Sequence, residues 1–235
     1  MDAAVRVVIQ ARAGSSRLPG KILACLGGRP MLAHVVRRMQ AASPGWQVHV
    51  ATTTAAADDA TQHLCRRLAV PCFRGPEDDV LARYLAATAD LADDDLALRA
   101  TADNPLYCPR RSRALVERHC RAAADYTSIE NLSYVVPEVF RVGALRAMAR
   151  LAGDPESREH VTPFFRRRPH RFAVTALAPN WQGLRPDIRL SVDTPGDLDA
   201  MRLIFDQLGG GNLIPLERVY AFCDSRTGWI ARKTA

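Results

Sequence analysis

Apolar and polar positions in the first half of the chain follow a strand–helix rhythm. Val5 to Gln10 reads VRVVIQ, a continuous β-branched run that predicts a strand buried on both faces. A loop rich in Gly, Ser and Arg follows. Within 30–42, Met31, Val35, Val36 and Met39 recur at helical spacing. The pattern then predicts a strand over 47–52, a helix over 58–69 and a short strand over 70–73. A helix over 78–92 turns Val80, Leu81, Tyr84 and Leu85 inward, a fourth strand covers 96–101, and a long helix covers 110–124. Such alternation predicts an α/β fold, a parallel sheet with helices on both faces.

From Asp125 the rhythm changes. Residues 134–141 read as extended and 142–151 as a helix. The polar, basic stretch 154–168 carries a helix ending before Pro169, and 172–177 and 188–192 read as late strands. Thr194, Pro195 and Asp197 together form a helix start: a capping hydroxyl, a residue pre-set for the first helical position, and a charge that favours the helix dipole. Gly209 to Gly211 ends that helix. The expected organisation is one domain over 1–211, with an insertion near 130–180, and a tail over 212–235 that holds a short helix at 216–223 and a loose end. No internal repeat or low-complexity tract interrupts it.

Composition narrows the function classes. With 48% hydrophobic residues, a sizeable core can be buried. The net charge of +7 suits anionic ligands. RRM-like and zinc-finger spacings are absent, so nucleic acid is not the expected partner. The six cysteines include no CxxC pair, and most sit in apolar or helical contexts that read as buried free thiols rather than a disulfide framework. No apolar stretch reaches membrane-spanning length and no leader pattern is visible, so the expectation is a soluble, cytoplasmic protein without a membrane partner.

The first loop carries the chemistry. Gly14 and Gly20 let backbone approach phosphate oxygens closely, and successive N–H groups near Ser15 and Ser16 can form an anion nest. Arg12, Arg17 and Lys21 can neutralise a triphosphate and stabilise charge developing during phosphoryl transfer. GxxxxGK[ST] and GxGxxG are both absent, which removes the main support for Walker-type and dinucleotide-binding readings. Asp103 directly follows the strand over 96–101, and Asp193 follows the run over 188–192. Strand ends of α/β sheets are where ligands bind, so two carboxylates there can hold Mg²⁺ against a triphosphate. Asp193 also fits a capping role beside Thr194, and Asp103 a turn before Pro105.

At these residues the chain resembles the cytidylyltransferases that activate acidic sugars, the CMP-KDO and CMP-sialate synthetase group, and within it the SpsF-like branch. The resemblance rests on IQARAGSSRLPGK at 9–21, ATTTAAADD at 51–59, FRGPEDDVLARY at 73–84, RATADNPL at 99–106, REHVTPF at 158–164 and LSVDTPGDL at 190–198. It implies a Rossmann-like three-layer α/β/α fold with a mostly parallel mixed sheet, a homodimer, and CMP transfer from CTP to a sugar acid or related small anionic acceptor, with Mg²⁺ as cofactor. It places Asp103 and Asp193 on the metal, Ala11 and Arg12 at the base, and Thr52 and Thr53 in the base pocket, although strand propensity alone also explains the threonines. Thr101 matches a position near the ribose.

On the acceptor side the resemblance implies Arg74, Glu138, Arg158, Glu159 and His160. Arg74 also fits a helix-capping loop, and His160 can act as a base at neutral pH or be structural. Tyr134 and Val136 stand where many SpsF-like proteins carry glycine and aspartate, which opens the acceptor to a non-standard sugar, a phosphonate or a phosphorylated small molecule. Transfer from another NTP, and a glycosyltransferase using a nucleotide sugar, are the alternative activities.

Overall fold

The computed structural model describes residues 3–130, 132, 134–209 and 213–226. In chain order the elements are β1 (Val5–Gln10), β2 (Cys25–Leu26), β3 (Arg29–Pro30), α1 (Met31–Gln40), β4 (Gln47–Thr53), α2 (Asp59–Arg67), β5 (Cys72–Gly75), α3 (Val80–Ala87) and β6 (Leu96–Thr101). Then follow α4 (Pro109–Ala122), β7 (Tyr126–Ile129), β8 (Glu138–Arg141), α5 (Val142–Leu151), α6 (Pro155–His160), α7 (Thr162–Arg166), β9 (Val174–Leu177), α8 (Pro195–Leu208) and α9 (Leu216–Asp224).

Seven strands form one sheet in the order β5-β4-β1-β6-β8-β7-β9. The run from β5 to β6 is parallel, β8 is antiparallel to both its neighbours, and β7 pairs β9 in parallel. Helices cover both faces, so the central strands are largely buried on both sides, as their mostly apolar sequences suit. In β1, Val7 and Ile9 enter the larger core beside α1, α4 and α8. Val8, between them, enters the smaller core beside α3, α5 and α7.

The central expectations hold: β1, β4 and β6 lie where the pattern puts them, and the mixed sheet matches the fold the resemblance implies. Three details differ. The run 188–192 carries no strand pairing among the described residues. Beside Asp103 there is no free edge for it to join, since β6 is bonded to β1 on one side and to β8 on the other. The run docks through Val192 N–H to the carbonyl of Asp103 at 3.0 Å. Next, β7 occupies 126–129, a stretch without strand patterning. Last, the expected helix within 154–168 is two short ones, α6 and α7, broken at Val161.

The six cysteines are free thiols, but Cys25 and Cys120 are exposed rather than buried. No helix among the described residues is long and apolar enough to cross a membrane. Gly210, Gly211 and the end of the tail lie outside the described residues.

Candidate active site

The loop after β1 is shaped by two backbone features. Gly20 adopts φ +70°, a left-handed conformation that glycine takes without strain, and opens the single helical turn Lys21–Leu23. The amides of Ser15 and Gly20 both donate to the carbonyl of Ala13, at 2.9 Å each. Asp58, at the foot of α2, braces the loop from below. Its buried carboxylate accepts from the amide of Ala13 at 2.8 Å, the hydroxyl of Thr61 at 3.2 Å, and both amide and hydroxyl of Thr53. A buried carboxylate with several donors fixes geometry strongly, because each lost partner leaves an unsatisfied polar group.

Above the loop lies a cavity of about 410 Å³. Arg12, Ser15, Ser16, Arg17, Lys21 and Ile22 form its loop side. Gln10, Arg99, Thr101, Ala102 and Asp103 form the strand side, and His160 and Asp193 complete it. At its centre Lys21 Nζ donates to Asp103 Oδ2 at 2.8 Å, to Asp193 Oδ1 at 3.2 Å and to the carbonyl of Val192 at 2.7 Å. Asp193 also accepts from Arg17 at 2.9 Å and from the guanidinium of Arg189. Burial raises the Asp193 carboxyl pKa, but Lys21, Arg17 and Arg189 outweigh it and hold the group below its ordinary value.

The capping motif sets Asp193 in place. Thr194 caps α8 in a reciprocal box with Asp197, whose carboxylate also accepts from the amide of Asp193 at 3.0 Å. Asp193 therefore faces the cavity while Thr194 does the capping. Asn104 holds the opposite rim: its Nδ2 donates to Thr101 Oγ1 at 2.6 Å and to Tyr107 Oη at 3.3 Å.

His160 reaches the cavity from the end of α6. Val161, directly after it, has φ +49° and ψ −62°, a conformation β-branched residues rarely adopt. The surrounding packing imposes it. Phe164 and Phe165 of α7 stack into an aromatic group with Tyr126, Phe140 and Phe172, at centroid distances of 4.9–6.2 Å.

Of the expected site residues, Arg12, Ser15, Ser16, Arg17, Lys21, Thr101, Asp103, His160 and Asp193 line this one cavity. Others stand elsewhere. Ala11 and Thr52 are buried in the fold, and Thr53 is engaged by Asp58, so neither threonine lines the cavity. Gly14 faces the carboxylate of Glu77, where a Cβ would sit 3.2 Å from Oε1. Arg74 is tied down by the carbonyls of Thr53 and Ala55 and by Asp59, which makes it a brace of the β4–α2 connection. Arg158 is paired with Asp79, the N-cap of α3, and Glu159 is exposed beyond the cavity lining. Glu138 is buried, accepting from Arg99 at 2.7 Å and from Tyr126 at 2.5 Å. Val136 belongs to the larger core and Tyr134 packs against it.

Pattern reading passed over Arg99 and Gln10. Their signal was present: each is a long polar residue in a strand that is mostly apolar and buried.

A family model described as Cytidylyltransferase matches residues 6–214. The chain is 37% identical over 191 residues to the uncharacterized protein MJ1063 of Methanocaldococcus jannaschii, covering 81% of this chain and 78% of that protein. It is 30% identical over 209 residues to the spore coat polysaccharide biosynthesis protein SpsF of Bacillus subtilis, covering 86% of each. The solved structure of a cytidylyltransferase from Leptospira borgpetersenii shares the fold, with a TM-score of 0.88 at 23% identity over 100% of this chain and 99% of that one.

Proposed function

Because the chain belongs to the cytidylyltransferase family, and so is a CTP-dependent nucleotidyltransferase, we propose that its cavity transfers CMP from CTP to a sugar acid or related small anionic acceptor, with Mg²⁺. The observation that carries this reading is the single ammonium of Lys21 shared by Asp103 and Asp193 beside Arg12 and Arg17. Three cations suit a triphosphate, and two carboxylates suit a hard cation bound to it.

In this reading Arg12, Arg17 and Lys21 hold the phosphates, with the backbone from Gly14 to Ser16 cradling them. The base lies on the β4 side of the cavity and the ribose near Thr101. An acceptor hydroxyl oxygen attacks the α-phosphorus, and the bond to the bridging oxygen of the β-phosphate breaks as pyrophosphate leaves. Lys21 neutralises the departing charge. His160, at the cavity edge, receives the hydroxyl proton.

The residues present fit a divalent ion. Asp103 and Asp193 offer oxygen donors only, and their carboxylates already converge on one positive charge. They would hold Mg²⁺, which supplies charge neutralisation at the triphosphate when bound. The segment 130–180 forms the acceptor side. Polysaccharide biosynthesis as the setting is supported by the likeness to SpsF, and homodimer formation by the resemblance.

Pyrophosphate release tests the reading. Release from CTP is expected only with both Mg²⁺ and a sugar-acid acceptor present. Release that is equally fast without acceptor, or with GTP in place of CTP, would overturn it.

A further inference from the structure

Of the Lys and Arg side chains that line the cavity among the described residues, Arg99 alone holds no phosphate in this reading. It lies in β6, opposite Val8 of β1 on one side and Glu138 of β8 on the other. Its guanidinium is asymmetrically engaged. Nη1 donates to Glu138 Oε2 at 2.7 Å, and Tyr126 Oη fixes the other carboxylate oxygen at 2.5 Å. Nη2 makes only a 3.5 Å approach to Gln10 Oε1, and Gln10 lines the same cavity. Nε is buried and has no hydrogen-bond partner among the described residues. One edge of the fork, Nε–H beside Nη2–H, is therefore left almost unused.

That is unusual for a buried guanidinium. Buried donors are satisfied in the great majority of cases, and those that are not call for an explanation. The Nε/Nη2 edge matches the two oxygens of a carboxylate, and arginine recognises that planar group bidentately where lysine cannot. Position selects which substrate brings it. The sheet runs β4-β1-β6-β8. The nucleotide is assigned to the β4 side of β1 and its phosphates to the loop after β1. Arg99 stands one strand further, on the β6–β8 side, together with Glu138.

We infer that Arg99 anchors the acceptor through its carboxylate, and that Glu138 and Tyr126 are positioning residues that hold the guanidinium for it. This deepens the proposed function and rests on it. The three-part network explains why a glutamate is buried beside a substrate cavity: it orients a cation rather than touching the acceptor itself. It also accounts for selection of an acid over a neutral sugar, since a neutral group would leave the edge unpaired.

Arginine Nε–H nuclear magnetic resonance reads this directly in the full-length protein saturated with CTP and Mg²⁺. The probes are glycolate, a minimal hydroxy acid, and ethylene glycol, which replaces its carboxylate with a second alcohol. Glycolate is expected to move the Arg99 Nε–H signal saturably and ethylene glycol to leave it in place. Arg99→Lys keeps the charge opposite Glu138; it is expected to weaken glycolate binding at least about tenfold and CTP binding less than about twofold. Tyr126→Phe should weaken glycolate binding without removing it. An Arg99 signal that glycolate leaves unmoved, or that ethylene glycol moves equally, would overturn the inference. So would a signal that CTP alone shifts to its final position, which would give Arg99 to the nucleotide. Absence of CTP binding in the wild-type protein would instead sink the proposed function itself.

Discussion

Lys21 Nζ stands 2.8 Å from Asp103 Oδ2, across 82 residues of sequence. The same ammonium lies 3.2 Å from Asp193, so two carboxylates far apart in the sequence converge on one cation. Removing that cation leaves two like charges facing each other. Lys21→Met is expected to lower kcat/KM for CTP by at least about 100-fold. Mg²⁺ alone should then raise the melting temperature of the variant more than that of the wild type, because the ion takes the place of the lost ammonium. Thermal melts with and without Mg²⁺ measure both.

Asp103 and Asp193 share a proposed ligand but not an environment. Asp193 is surrounded by Lys21, Arg17 and Arg189, whereas Asp103 pairs with Lys21. Asp103→Asn and Asp193→Asn are both expected to cut turnover by at least about 100-fold. Only Asp193→Asn should also destabilise the free protein clearly, since it leaves three cations crowded together. With its pKa lowered, Asp193 contributes stability that is present above the ordinary carboxylate pKa and lost as pH falls through the lowered folded value. Acid melts of the two variants separate these effects.

The loop brace makes a third prediction. Asp58 accepts hydrogen bonds from Ala13, Thr53 and Thr61. Asp58→Ala strands those buried donors and should cost about 3 kcal/mol of stability. It should raise KM for CTP more than it lowers kcat, because it loosens the phosphate loop without touching the reacting atoms. Urea unfolding and steady-state kinetics check the two halves.

His119 contributes acid sensitivity far from the site. Burial, assisted by the charge of Arg141, lowers its pKa from 6.5 to about 4. The native imidazole accordingly stays neutral while the unfolded chain takes up a proton. Stability is full above the unfolded value and falls as pH drops from 6.5 toward 4, by about 3 kcal/mol in total. His119→Gln should flatten this slope. Denaturant midpoints measured across that window decide it.

How far the sequence foretold all this varies by residue. The VRVVIQ run, the Gly/Arg loop and the Thr194–Asp197 box announced themselves locally, through β-branching, cation density and capping chemistry, and each stands where expected. The failures are non-local. Residues 188–192 look like a strand, but both edges of β6 are already taken. Tyr126 to Ile129 mixes polar and apolar residues, yet becomes β7 because β8 and β9 flank it. The resemblance puts Thr52, Thr53 and Arg74 in the site, whereas the fold spends Thr53 and Arg74 on bracing and buries Thr52 away from the cavity lining. Arg99 and Glu138 are 39 residues apart, and their meeting depends on antiparallel register that local pattern does not encode.

The central claim is that Asp103 and Asp193 hold a divalent ion against the triphosphate of CTP in this cavity. Calorimetric titration with CTP, with and without Mg²⁺, tests it most directly, alongside GTP and the Asp103→Asn variant. The account predicts that Mg²⁺ tightens CTP binding at least about tenfold, a gain of about 1.4 kcal/mol, that GTP binds more weakly, and that Asp103→Asn loses the Mg²⁺-dependent gain. Equal CTP affinity with and without Mg²⁺, or an undiminished gain in the variant, would contradict it.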